Sequence, residues 1–210
     1  MLKLSKASKM RVKGKQIYSL DFEAGKTCPG SYNPDGSIVE VCKNCYAKKG
    51  SFRWAVVKKV RTDNLEDIKR AEWVTDMVKL VSKERFFRWL ASGDIISAAI
   101  AEKIYEVILS TPKTLHWLPT RSYKIPKILK VLDRINKLPN VAIRYSADDI
   151  GLDKFHITNL GAFVIKQEDI AKARDLNIVV CPASIYKDKK NCGSCTACWD
   201  KTLKIAYVEH

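Results

Sequence analysis

The sequence predicts an α/β protein built of parallel βαβ units, a partial (β/α) barrel. Three observations predict it. Strand-like and helix-like segments alternate through most of the chain with connections of only a few residues. Polar residues gather just after each strand, where parallel β/α folds bring loops to one face. About six or seven strands are legible, too few for a closed eight-unit barrel. A doubly wound open sheet is the competing architecture, because periodicity does not give strand order. The chain carries no glycine-rich dinucleotide fingerprint or phosphate loop to favour it.

The elements follow in order. Residues 1–15 carry several lysines, Arg11 and little periodicity, and read as a basic, mobile N-terminal arm. Gln16–Glu23 (QIYSLDFE) alternates apolar and polar residues as a strand does. Phe52–Val60 and Leu65–Lys83 read as helices, the second burying Ile68, Ala71, Val74, Met77, Val78 and Val81 at helical spacing. The aromatic and basic residues between Lys48 and Arg61 could touch nucleic acid, but an amphipathic helix with its aromatics inward is the preferred reading. Strand Arg85–Leu90 ends at Ser92-Gly93-Asp94, and helix Ser97–Leu109 follows with Ile100, Ile104, Val107 and Ile108 inward. Strand Thr114–Leu118 ends at Thr120-Arg121-Ser122 and leads to helix Ile125–Leu138. Strand Val141–Ser146 ends at Asp148-Asp149, and Ala162–Lys166 is the next strand. Helix Asp169–Asp175, strand Asn177–Val180 and a last strand Leu203–Val208 complete the chain. The main body is therefore expected over residues 16–180, and a C-terminal cysteine segment with its strand over 181–210.

All seven cysteines fall in two groups, and none lies in the apolar segments between them. Cys28 is followed after thirteen residues by Cys42-x-x-Cys45, and Cys181 after ten residues by Cys192-x-x-Cys195-x-x-Cys198. Core cysteines behave as small hydrophobes and would scatter, so this distribution indicates metal ligands. A C-x-x-C-x-x-C run with a distal Cys-Pro is a thiolate set suited to an iron–sulfur cluster. Three thiolates in the first group would leave one iron of a four-iron cluster without a protein ligand, and such an iron can chelate S-adenosylmethionine. Two 4Fe–4S clusters, one open and one closed, are the leading expectation. Zinc is the competing one, held by four thiolates in the second group and completed by a His or Asp in the first. An odd count, C-x-x-C spacing and no secretory segment weigh against disulfides.

Length and charge bound the rest. At 210 residues the chain can bury a sizeable core without metal staples. No apolar run is long enough to span a bilayer, so a cytoplasmic protein with no membrane partner is expected. Its 38 Lys and Arg against 23 Asp and Glu give a net charge of +15, which favours a nucleic acid or nucleotide as partner. Of the three histidines, His116 in an apolar strand reads as a satisfied core residue, His156 as a possible fourth ligand, and His210 as solvated.

The ordered segments CPG…VCKNCYAKKG, RFFRWLASGDIIS, TLHWLPTRS, LPNVAIRYSAD and CPASIYKDKKNCGSCTACW, spanning Cys28 to Trp199, resemble the phage "gene 88 product" family of iron–sulfur, radical-SAM-like proteins. That family typically has His-Asp ahead of Ser-Gly-Asp, and here Leu90-Ala91 stands in that place. The resemblance implies S-adenosylmethionine chemistry: reductive cleavage by an open cluster, fed by a reductant, and hydrogen abstraction from a substrate. Radical S-adenosylmethionine enzymes place a Gly-Gly-Glu-like segment after the second strand to hold the methionine amine, and Ser92-Gly93-Asp94 occupies that place. Cofactor contacts are expected from Ser92, Gly93, Asp94, Thr120, Ser146 and Asp148, with Asp94 and Asp148 as candidate catalytic carboxylates. The alternative is a non-catalytic iron–sulfur or zinc module that binds nucleic acid or protein.

Overall fold

The computed structural model describes residues 3–185 and 191–209. His210 and positions 186–190 of the C-terminal segment lie outside the described residues. An eight-stranded sheet in the order β1-β2-β3-β4-β5-β6-β8-β7 forms the centre of the chain. Its strands are β1 (Ser5–Val12), β2 (Lys15–Leu20), β3 (Phe86–Trp89), β4 (Leu115–Thr120), β5 (Val141–Ile150), β6 (Leu160–Ile165), β7 (Val179–Val180) and β8 (Ile205–Val208). Only the β1–β2 pair is antiparallel, and every other pair is parallel. The sheet is open, with β1 and β7 at its two edges, and does not close into a barrel. The α/β class and the parallel strands agree with the sequence.

The expected N-terminal arm is, over Ser5–Val12, the edge strand β1. A two-residue turn with positive φ at Lys13 and Gly14 folds it onto β2, the conformation that tight hairpins require. Lysines on an edge strand discourage pairing with another chain, and the same lysines conceal the strand in the sequence.

One face of the sheet carries the main core. Tyr18, Leu20, Phe87, Trp89, Leu118 and Phe163 pack there with helices α3 (Trp73–Val81), α4 (Ala98–Ser110) and α5 (Pro126–Asn136). Helix α4 starts where Ser97 Oγ accepts the Ile100 N–H at 3.3 Å, a cap that contributes about 1 kcal/mol. Its stripe of Ile100, Ile104, Val107 and Ile108 is buried as expected.

The helix expected over Leu65–Lys83 is broken. Helix α2 (Ala55–Asp67) stops and α3 begins six residues later. Lys103 Nζ of α4 donates to the carbonyls of Ile68 and Arg70, both at 2.7 Å, and so satisfies groups that the break exposes. Arg70 pairs with Asp67 and Asp76 across the gap. Ala71 is consequently exposed, and Trp73 takes the buried position.

The opposite face carries a second, smaller core of Val12, Ile17, Trp117, Cys198 and Trp199, with Phe86, Leu115 and Tyr207 against it. Segment 192–200 therefore covers the face that the helices leave free. Trp199 Nε1 donates to the Phe87 carbonyl at 3.0 Å, and an Arg144 Nη2 donates to the carbonyls of Ala197 and Asp200. Among the described residues no helix is long and apolar enough to cross a membrane.

Candidate functional site

The first cysteine group lies in the connection after β2. Cys28 precedes a 3-10 turn (Pro29–Ser31), Cys42 sits in the single-turn helix α1 (Glu40–Lys43), and Cys45 precedes a second 3-10 turn (Tyr46–Lys48). Successive turn bonds, Cys42 N–H to Val39 O, Cys45 N–H to Cys42 O and Lys48 N–H to Cys45 O, curl Cys42 and Cys45 together. Glu40 Oε2 accepts the Ile150 N–H at 2.8 Å and moors α1 to β5. The three thiols share one electrostatic environment. Burial pushes the Cys28 thiol up to about 11, a Gly25 N–H at 3.4 Å works against that, and the charges of Asp94, Cys45 and Cys42 add to it. Burial likewise raises Cys42, while the Arg121 guanidinium pulls it down and Cys45 and Asp148 push it up.

The Ser92-Gly93-Asp94 turn stands beside Cys28, as its position after β3 predicts. The side chains of Ser92 and Asp94 are both engaged in holding the loops. Ser92 Oγ donates to Phe22 O at 2.8 Å. Gly93 has φ +74°, and a Cβ there would run into Thr27 Oγ1 and Phe22. Buried Asp94 accepts from Thr120 Oγ1 at 2.7 Å, from Arg121 N–H at 2.8 Å and from Ile95 N–H at 2.8 Å. Burial raises its carboxyl pKa against these hydrogen bonds. Asp94 thus ties the ends of β3 and β4 together under the first cysteine loop.

The Thr120 hydroxyl also accepts the Ser122 N–H at 2.9 Å, so it both donates and accepts within the loops. Asp148 is ion-paired with Lys124 and, at 3.6 Å, with Arg121, and its Oδ1 is buried with no hydrogen-bond donor. The Ser146 hydroxyl donates to Arg144 O at 3.5 Å. His156 meets Phe155 edge to face, with ring centroids 6.0 Å apart.

In the second group, Cys181, Cys192, Cys195 and Cys198 line a single pocket together with Pro182 and Trp199. Cys181 directly follows β7, and its N–H donates to Ala206 O at 2.8 Å. Burial raises its thiol, opposed by the Ala183 and Ser184 N–H groups of helix α7 (Pro182–Ile185). Burial first, then the neighbouring thiols, pushes Cys192 up to about 11. Burial pushes Cys198 up to about 12, although Tyr207 Oη at 3.6 Å lowers it. Among the described residues no three His, Cys, Asp or Glu side chains are placed so that together they could hold a metal ion. None of the seven cysteines forms a disulfide.

A model of the family described as Gene product 88 matches residues 2–201. The chain belongs to the Gene product 88 family. No curated protein and no solved structure matches it.

In this member of the Gene product 88 family, one important side chain escaped the sequence reading. Arg88 of β3 lies between the two cysteine groups. One guanidinium nitrogen donates to Tyr46 Oη at 3.2 Å, and Tyr46 is the residue after Cys45. The other faces Met10 Sδ at 3.3 Å, and the group lies 4.4 Å over the Trp117 ring. Its charge lowers the thiols of both Cys192 and Cys198. An arginine set among Phe86, Phe87, Trp89 and Leu90, on the same strand face as Phe86, was the available signal.

Proposed function

We propose that this chain is an iron–sulfur protein with two cluster sites. Cys181, Cys192, Cys195 and Cys198 hold a closed four-iron cluster, and Cys28, Cys42 and Cys45 hold a second one with an open iron. The observation that carries the proposal is the single pocket lined by four cysteines from two parts of the chain. Thiols crowded in a buried pocket resist becoming thiolates unless a cation compensates the charge, and a bound metal deprotonates them outright. The donor set is all sulfur, which suits iron–sulfur clusters and zinc above other metals.

Cys28, Cys42 and Cys45 would hold the open cluster, which, once bound and reduced by an external one-electron donor, would supply the electron for reductive cleavage of S-adenosylmethionine. Around the first group, Arg121, Lys124 and Asp148 are the charged side chains that can meet a zwitterionic ligand. The parallel strands whose C-terminal ends carry the first loop support this assignment. The net charge of +15 favours a nucleic acid or nucleotide as the molecule acted on. A second reading, a non-catalytic cluster-bearing binding module, is favoured by the complete engagement of Ser92 and Asp94 in loop tethering.

The test is anaerobic purification followed by counts of iron, sulfide and zinc, with absorption spectra before and after adding S-adenosylmethionine. Two clusters give about eight irons and eight sulfides, and Cys198→Ser leaves about four. A spectral change with S-adenosylmethionine supports the open iron, and its absence supports the binding module. Zinc without sulfide overturns the iron–sulfur assignment.

A further inference from the structure

From Lys43 to Lys59 the chain has no acidic residue. It carries six exposed cations there, Lys43, Lys48, Lys49, Arg53, Lys58 and Lys59. The same ridge holds three of the large apolar side chains left most exposed, Tyr46 at 54%, Trp54 at 64% and Val56 at 66%. The sequence favoured an amphipathic helix with its aromatics inward. Instead α2 buries Arg61 and Asn64 and leaves Trp54 and Val56 outside.

The ridge is braced from beneath. The Arg61 guanidinium sits 4.5 Å over the Phe52 ring, and Phe52 meets Tyr46 edge to face at 5.5 Å. Tyr46 Oη donates to Ala91 O at 2.6 Å. The exposed face of Tyr46 is therefore fixed before any partner arrives, and a partner loses less freedom in docking on it. Among the described residues, Lys59 alone of the six has an acidic partner, Asp63 at 2.9 Å, and the other five cations project without an ion pair.

We propose that this ridge binds single-stranded nucleic acid, with Trp54 and Tyr46 stacking bases and the six cations tracking phosphates. Aromatic platforms flanked by cations are what a flexible strand with exposed bases requires, whereas a duplex hides its base faces. A protein partner with an acidic surface would use the cations but has no need of open aromatic faces. The proposal deepens the nucleic-acid partner named above and rests on that part of the reading. It puts the strand beside Cys45, because Tyr46 is the next residue.

The test uses the full-length chain and a fluorescein-labelled single-stranded 20-mer, as DNA and as RNA, with the matching duplex as competitor. Anisotropy is followed across a salt series. Binding is expected to weaken steeply with salt, and the single strand to out-compete the duplex. Trp54→Ala is expected to weaken binding about tenfold without changing the salt slope. A triple Lys49→Glu, Arg53→Glu, Lys58→Glu variant is expected to flatten that slope by about two. All four side chains are exposed, so the variants should keep the wild-type melting curve. Reversing the exposed Lys127 and Lys130 of α5 and Lys137 just past its end is the control and should cost far less. Duplex preference, an unaffected Trp54→Ala variant, or equal losses from α5 and the ridge would each overturn the proposal. Absence of salt-sensitive binding would do so as well and would leave an acidic protein as the partner. Iron counts on the same samples read the cluster assignment separately, so failure of one is distinguishable from failure of the other.

Discussion

Burial at His116 makes stability depend on pH in a way that can be worked through. The ring is fully buried in β4. Its Nδ1 lies 3.2 Å from Trp89 Nε1, which can only donate, so Nδ1 accepts and the proton sits on Nε2. That Nε2–H faces Thr111 Oγ1 at 2.9 Å, and Thr111 passes its own proton to Val107 O at 2.7 Å. The chain of donors is complete only with a neutral imidazole. Burial accordingly lowers the pKa from 6.5 to about 3. The unfolded chain takes up a proton near 6.5 and the folded chain does not, so this contribution is present above 6.5 and is lost as pH falls toward 3. Between about pH 7.5 and about pH 5 the loss comes to about 2 kcal/mol. The assay is urea unfolding at those two pH values for wild type and His116→Gln under identical reducing conditions. The glutamine does not titrate, and taking the difference of the two profiles removes what the cysteines add to both. A wild-type profile steeper by about 2 kcal/mol is expected. Parallel profiles would refute the buried, neutral imidazole.

Two further outcomes follow from the loops. Gly93→Ala must accept φ +74° and a Cβ driven against Thr27 and Phe22. Thermal melts should show a loss of about 2 kcal/mol or more, with poorer metal loading at Cys28. Arg88→Gln removes a positive charge felt by Cys192 and Cys198. In the iron-loaded protein, potentiometric titration should move the second cluster's reduction potential downward by tens of millivolts, about 60 mV for a tenfold change in equilibrium. An unmoved potential would separate Arg88 from that site.

Much of the strand layout was readable because six central segments alternate or run apolar at strand length and are closed by turn residues. What escaped has physical causes. Ser5–Val12 carries lysines and only Met10 and Val12 as apolar contacts to the second core, so nothing in its pattern marks an edge strand. The break after Asp67 depends on Lys103, thirty-five residues beyond Ile68, and a local window cannot contain it. The seven cysteines were evident from spacing alone. Their supporting residues were not, because Arg88 and Arg121 become neighbours of thiols only through the sheet, and Tyr46, next to Cys45 in the chain, meets Arg88 and Ala91 only there. Asp94 was found by position, but its tethering of Thr120 and Arg121 needed coordinates.

The strand order at the far edge carries a consequence for assembly. Strand β7 is formed before β8 during synthesis, yet it pairs only with β8, which lies between it and β6. Until β8 slots in, β7 has no ladder to join, and the Cys181 N–H has no Ala206 carbonyl to meet. Maturation of the second cysteine pocket is then a late event, timed by the insertion of a four-residue strand. A metal that arrived early would find only the C-x-x-C-x-x-C run, with its fourth sulfur still to come.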